Sequence, residues 1–183
     1  MKKASAQALE NQTTYTYEEA QRASTAYFGG DELAANVWVN KYALKDSHGN
    51  IYELTPDDMH MRIAKEIARI ETKYPNPKPV EEIFQLLKDF KYIVSQGSPM
   101  AGIGNNHQVS SLSNCFVIGN NADSYGGIIR TDEEQAQLMK RRGGVGHDLS
   151  HIRPKGSPVM NSALSSTGLV PFMERFSNCT REV

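Results

Sequence analysis

SLSNCFVIG, from Ser111 to Gly119, and KRRGGVGHDLSHIRPKGSP, from Lys140 to Pro158, are the stretches whose reading decides the fold. In the first, Cys115, Phe116, Val117 and Ile118 form a short apolar run between polar residues, which predicts a buried strand. A thiol thus stands where a strand emerges from a loop. The second stretch sets a glycine turn, GGVG, among Lys140, Arg141, Arg142, Arg153 and Lys155, with Asp148 as the one acid. Glycines let a backbone approach a ligand closely, and clustered N–H groups with Arg and Lys nearby hold phosphate oxygens. Together they point to redox chemistry on a phosphorylated substrate. Each also has a plainer reading. Free cysteine is most often a small buried hydrophobe, glycine pairs mark turns, and a run of basic residues is usually a solvated face. The glycines meet neither the P-loop spacing nor the dinucleotide-binding pattern.

Upstream of Ser95 the pattern is helical. Thr16 and Glu19 make a capping box ahead of EEAQRASTAYF, and Gly29-Gly30 stops that helix. Asp31 caps ELAANVWVNKYAL, in which Leu33, Val37 and Leu44 are expected to face inward and Trp38 to pack between helices. Thr55, Pro56 and Asp58 open a third helix, with Met59, Ile63, Ile67 and Ile70 as its buried stripe. The prolines of YPNPKP break the chain before VEEIFQLLKDFKYI, a further amphipathic helix with Ile83, Leu87 and Phe90 inward. From Ser95 onward glycine and serine become frequent, and short apolar runs alternate with loops. TDEEQAQLMKRR reads as a helix with an acidic first turn and a basic last turn, and GLVPFMERFSN as another. The expected organisation is therefore a disordered tail over 1–14, a helical domain over 15–94, and the start of an α/β domain over 95–183.

Composition sets outer limits. The 183 residues carry a net charge of −1 and are 39% hydrophobic, ordinary for a soluble domain and unlike a general nucleic-acid binder. No apolar run approaches the ~20 residues of a membrane span, and the amino terminus lacks the apolar core of a secretory signal. Two cysteines are no disulfide framework, so a reducing cytoplasm is expected. His147 and His151, spaced as H-x-x-x-H, invite a metal reading. Asp148 stands where a zinc-protease glutamate would, and Pro154 disfavours a helix there, so no metal site is expected.

Taken together, QGSPMAGIGN, SLSNCFVIG, DSYGGI, KRRGGVGHDLSHIRPKGSPVMNSA and GLVPFMERFSN resemble the large, catalytic subunit of ribonucleotide reductase, over roughly residues 17–183. The resemblance implies a fold running from α+β to α/β, an amino-terminal helical domain followed by the first part of a ten-stranded α/β barrel. It implies that Cys115 is a redox-active thiol on the first barrel strand, reducing the ribose 2′ carbon and ending in a disulfide. Ser98, Asn114, Gly143 and Gly144 match substrate-binding positions. Asp123 and Arg153 match positions at a site for an effector deoxynucleotide; a second arginine found in the family seven residues later is Met160 here.

The family also needs a partner for Cys115, a radical-carrying cysteine and a carboxy-terminal cysteine pair, and Cys179 matches none of these. The resemblance thus implies a fragment of a ribonucleoside-diphosphate reductase, inactive alone. Its motifs are nearest the adenosylcobalamin-dependent branch and related class I subunits. The radical would come from adenosylcobalamin or from a separate metal-containing, radical-generating small subunit. Implied partners are a ribonucleotide substrate, a deoxynucleoside triphosphate effector, a second copy of the parent subunit, and thioredoxin or glutaredoxin. The competing reading is a non-catalytic module that binds deoxynucleotides and a partner subunit.

Overall fold

A computed structural model describes residues 13–120 and 122–183. The expected disordered tail over 1–14 lies outside the described residues up to residue 12. The chain divides into two compact units, with the break between Leu112 and Ser113.

The first unit is helical. Helix α1 (Tyr17–Tyr27) begins with the expected capping box: Glu19 N–H donates to Thr16 Oγ1 at 3.2 Å, and Thr16 N–H to Glu19 Oε2 at 2.8 Å. Helix α2 (Glu32–Lys41) is capped by Asp31, which accepts from Ala34 N–H at 2.9 Å. Its inward stripe is Ala35, Trp38 and Val39, whereas Leu33 is 74% exposed and Val37 lies at the surface. The i, i+3, i+4 set built on the indole buries more apolar area than the Leu33–Val37 edge, so the helix turns that way.

Helix α3 (Pro56–Glu71) buries Met59 and Ile63 and leaves Ile67 and Ile70 half-buried. Helix α4 (Val80–Leu87) buries Ile83 and Leu87 but stops six residues short of Ile93. A tight turn over Lys88–Phe90 holds Asp89 and Phe90 at φ 57° and 53°. Packing explains it: the turn sets the Phe90 ring edge-on to His60 at 4.5 Å and stacks it on Phe28 at 6.2 Å.

The compositional change at Ser95 falls inside this unit. Short helix α5 (Gly97–Gly102) leads into a segment whose Met100 and Ile103 pack on the helical core. Arg62 fastens it, donating to Met100 O at 2.8 Å and to Ile103 O, while its Nε pairs with the buried carboxylate of Glu53 at 2.7 Å.

The second unit is β1 (Cys115–Gly119), α6 (Tyr125–Met139), β2 (Gly144–Asp148) and α7 (Val170–Glu182). The strands pair in parallel, from Cys115 opposite Gly144 to Gly119 opposite Asp148. A parallel pair joined through a helix is the repeating unit of α/β folds. GGVG is therefore strand for the most part, not the expected glycine turn. Helix α6 starts six residues before the expected Thr131, because the Ser124 hydroxyl accepts from Gly127 N–H at 3.1 Å and caps it there. Its first turn is glycine-rich rather than acidic, and Arg141 and Arg142 follow the helix instead of ending it. Ile128, Ile152 and Phe176 form the core, and Gln135 ties α6 to α7 through Phe176 O at 2.9 Å and Thr180 Oγ1 at 2.8 Å. Among the described residues no helix is long and apolar enough to cross a membrane.

Candidate functional site

Alternation along the strands gives the sheet two unlike faces. Phe116, Ile118, Val145 and His147 are half-buried, on the side where Phe176 of α7 stacks on the His147 ring at 4.3 Å. Cys115 and Val117 lie on the other face, opposite Gly144 and Gly146. That face is open: the thiol is exposed and Val117 is 83% exposed. The expected buried strand is thus covered on one side only, since among the described residues both helices of this unit pack toward the same face.

The open face is bare beside the thiol. A Cβ on Gly144 would lie 3.9 Å from Cys115 Sγ and 3.3 Å from Asn114 O. Gly144 N–H donates to that same Asn114 carbonyl at 2.6 Å, so the backbones of Asn114 and Gly144 are held together next to the sulfur. Gly143 answers to packing: a Cβ there would come within 2.8 Å of the Phe116 ring and 3.0 Å of Leu138 O. The structure therefore brings Asn114, Cys115, Gly143 and Gly144 to one end of the strand pair. Ser98 belongs to the first unit, where it is buried at the start of α5.

Asp123 and Arg153 form a second locus. Arg153 donates through Nε and its backbone N–H to the Asp123 carboxylate and through Nη2 to Asp123 O at 3.3 Å. The guanidinium holds the Asp123 carboxyl below the usual carboxylate range, mainly by that hydrogen bond. The pair lines a cleft of about 280 Å³ together with Tyr125, Ile128, Phe172 and Ser166. Apolar and aromatic walls with an ion pair and hydroxyls suit a ligand that has a flat ring and several polar groups. Met160 also lines the cleft and is fully exposed.

The two histidines singled out in the sequence are not paired on a helix. His147 lies in β2, and His151 is exposed in the turn after it. Burial lowers the His147 pKa, with the Asp132 carboxylate opposing that shift. Among the described residues no three His, Cys, Asp or Glu side chains gather as a metal site. Cys179 is half-buried and its Sγ donates to Asp132 O at 3.9 Å; burial and the Asp132 carboxylate push its pKa up.

Sequence reasoning missed Ser124 and Asn120. Ser124 carried a readable signal, a capping residue three positions ahead of the glycine N–H it accepts from. Asn120 carried no such signal; it follows β1 and has no exposed surface.

Two profiles match the chain in order: the ribonucleotide reductase all-alpha domain over residues 28–106 and the ribonucleotide reductase barrel domain over residues 113–183. The ribonucleoside-diphosphate reductase subunit alpha of Helicobacter pylori is 34% identical over 142 residues, 78% of this chain and 17% of that protein. Large chain 2 of the Saccharomyces cerevisiae enzyme is 33% identical over 97 residues, 53% of this chain and 11% of that protein. The vitamin B12-dependent ribonucleoside-diphosphate reductase of Mycobacterium tuberculosis is 27% identical over 148 residues, 79% of this chain and 21% of that protein. The chain thus spans about a fifth or less of the length of these relatives.

Proposed function

Because this chain belongs to the ribonucleotide reductase large-subunit family, we propose that it is the amino-terminal part of a catalytic subunit that reduces ribonucleotides to deoxyribonucleotides. The observation that carries the reading is the exposed Cys115 thiol on the open, glycine-lined face of a parallel strand pair. In the reaction the ribose 2′ hydroxyl leaves as water and hydrogen takes its place. Cys115 and a second cysteine, from outside this chain, supply two electrons and two protons and become a disulfide, which thioredoxin or glutaredoxin reduces again. Asn114, Gly143 and Gly144 border the ribose and its phosphates in this reading, and Ser98 is a further substrate-binding residue.

Adenosylcobalamin or a separate metal-containing subunit supplies the initiating radical. Among the described residues no three His, Cys, Asp or Glu side chains gather to hold a metal of their own. The Asp123–Arg153 cleft takes the deoxynucleoside triphosphate effector. The parent enzyme is a cytoplasmic homodimer in this reading.

The test is Cys115→Ser in the complete subunit. Loss of dithiol-dependent turnover with effector binding retained is expected. Undiminished turnover would remove Cys115 from the mechanism, and nucleotide binding by this chain with no role in turnover would favour the non-catalytic module.

A further inference from the structure

We propose that Asn120 is a positioning residue, a buried polar joint between the strand that carries Cys115 and the helix that borders the Asp123–Arg153 cleft. The role rests on the effector reading of that cleft. Three contacts meet at this residue, which has no exposed surface. Its backbone N–H donates to Asp148 O at 3.3 Å, extending the β1–β2 ladder one step past Gly119. Its side-chain amide lies 3.4 Å from Thr131 Oγ1, and Thr131, also buried, donates to Gly127 O at 3.0 Å. A Cβ on Gly127 would stand 2.9 Å from Asn120 Oδ1 and 2.5 Å from Ala122 O. The ends of both strands meet the backbone of this residue, and the first two turns of α6 meet its side chain.

A hydroxyl has a single hydrogen, and the nearer acceptor of Thr131 is Gly127 O. The amide nitrogen of Asn120 is buried with no partner among the described residues. Turning the amide over makes that nitrogen the donor to Thr131 Oγ1, leaves the Thr131 hydrogen to Gly127 O and puts the oxygen in the unpartnered place, and the two orientations are nearly the same in shape. A buried amide that loses such a partner is left unsolvated, so the joint resists sliding and moves as a unit. Asp123 sits three residues beyond Asn120, at the cleft. A nucleotide that shifts or stiffens Asp123 thus acts on the carboxyl end of β1, the strand whose amino end holds the thiol.

The experiment is amide hydrogen exchange on the full 183-residue chain, with and without each of the four deoxynucleoside triphosphates. Nucleotide is expected to slow exchange over residues 122–131 and also at the strand ends, 117–119 and 146–148. Thr131→Val, close to isosteric, keeps the first effect and loses the second; Thr131→Ser restores it. Transmission unchanged in Thr131→Val overturns the joint. Absence of any nucleotide effect in the unaltered chain sinks the effector reading instead, and the joint is then judged without ligand. There Asn120→Leu and Thr131→Val each speed exchange at 127–131 and 146–148 by about fivefold, the worth of one hydrogen bond, and the double variant adds little. Unaltered ligand-free exchange overturns the proposal.

Discussion

Cys115 stands directly opposite Gly144 across a parallel strand pair, and the side chain absent from residue 144 would have lain 3.9 Å from the sulfur. The space beside the thiol is thus a property of the pairing register. One step of slippage would set Val145 or Gly143 against the cysteine and turn the neighbouring side chains to the wrong face.

Thiol labelling reads this arrangement. With an aromatic disulfide reagent the chain is expected to react in two separated phases. Cys115 reacts first because it is exposed; Cys179 lags because it is half-buried and its pKa is raised. Cys115→Ser removes the fast phase, and Gly144→Val slows it by covering the sulfur. A single phase that survives both cysteine substitutions in turn would contradict the assignment.

Two adjacent glycines in α6 should behave oppositely. A Cβ on Gly127 meets the Ala122 carbonyl at 2.5 Å, whereas one on Gly126 meets nothing closer than 3.9 Å. Gly127→Ala should destabilise the second unit by about 1–3 kcal/mol through overpacking. Gly126→Ala should be neutral or stabilise it by up to about 1 kcal/mol, as alanine favours helix. Urea unfolding followed by helical circular dichroism separates the two.

The Glu53–Arg62 pair is almost fully buried, and Arg62 also holds Met100 O and Ile103 O. Removing one partner leaves an uncompensated charge, which costs about 3–5 kcal/mol. Arg62→Met should therefore lower the urea midpoint of the first unit markedly and expose residues 100–103 to proteolysis. Glu53 also accepts from Leu44 N–H at 2.7 Å, so Glu53→Gln, which keeps an oxygen acceptor, should cost less than Arg62→Met.

Acid should weaken the first unit through His60. Burial lowers its pKa, with the nearby Asp57 carboxylate, 3.7 Å from Nδ1, and the Asp89 charge opposing. The unfolded chain then binds a proton more readily than the native one. Stability from this residue is complete above about pH 6.5 and declines as pH falls through that value toward the lowered folded pKa, then levels off. Urea midpoints measured from pH 8 to 5 should fall, and His60→Gln should flatten the fall. An unchanged slope in that variant would show that another group titrates.

The helix starts upstream of Ser95, the strand at Cys115 and the family were legible along the chain because their causes are local. Thr16 with Glu19, and Thr55 with Pro56 and Asp58, name helix ends by side chains three residues apart, and a four-residue apolar run names a strand. Contacts across the fold decided the rest. Trp38 rather than Leu33 chose the buried face of α2, and the Phe90 ring ended α4 early. Gly143 to Gly146 became largely strand because β1 offered its edge to the backbone there. Asn120 became a joint only when Thr131, eleven residues on, reached it from the helix. Periodicity and capping act over a few residues and can be read from order alone. Which face is covered, and which polar group finds its partner, depends on elements that meet only in the folded chain.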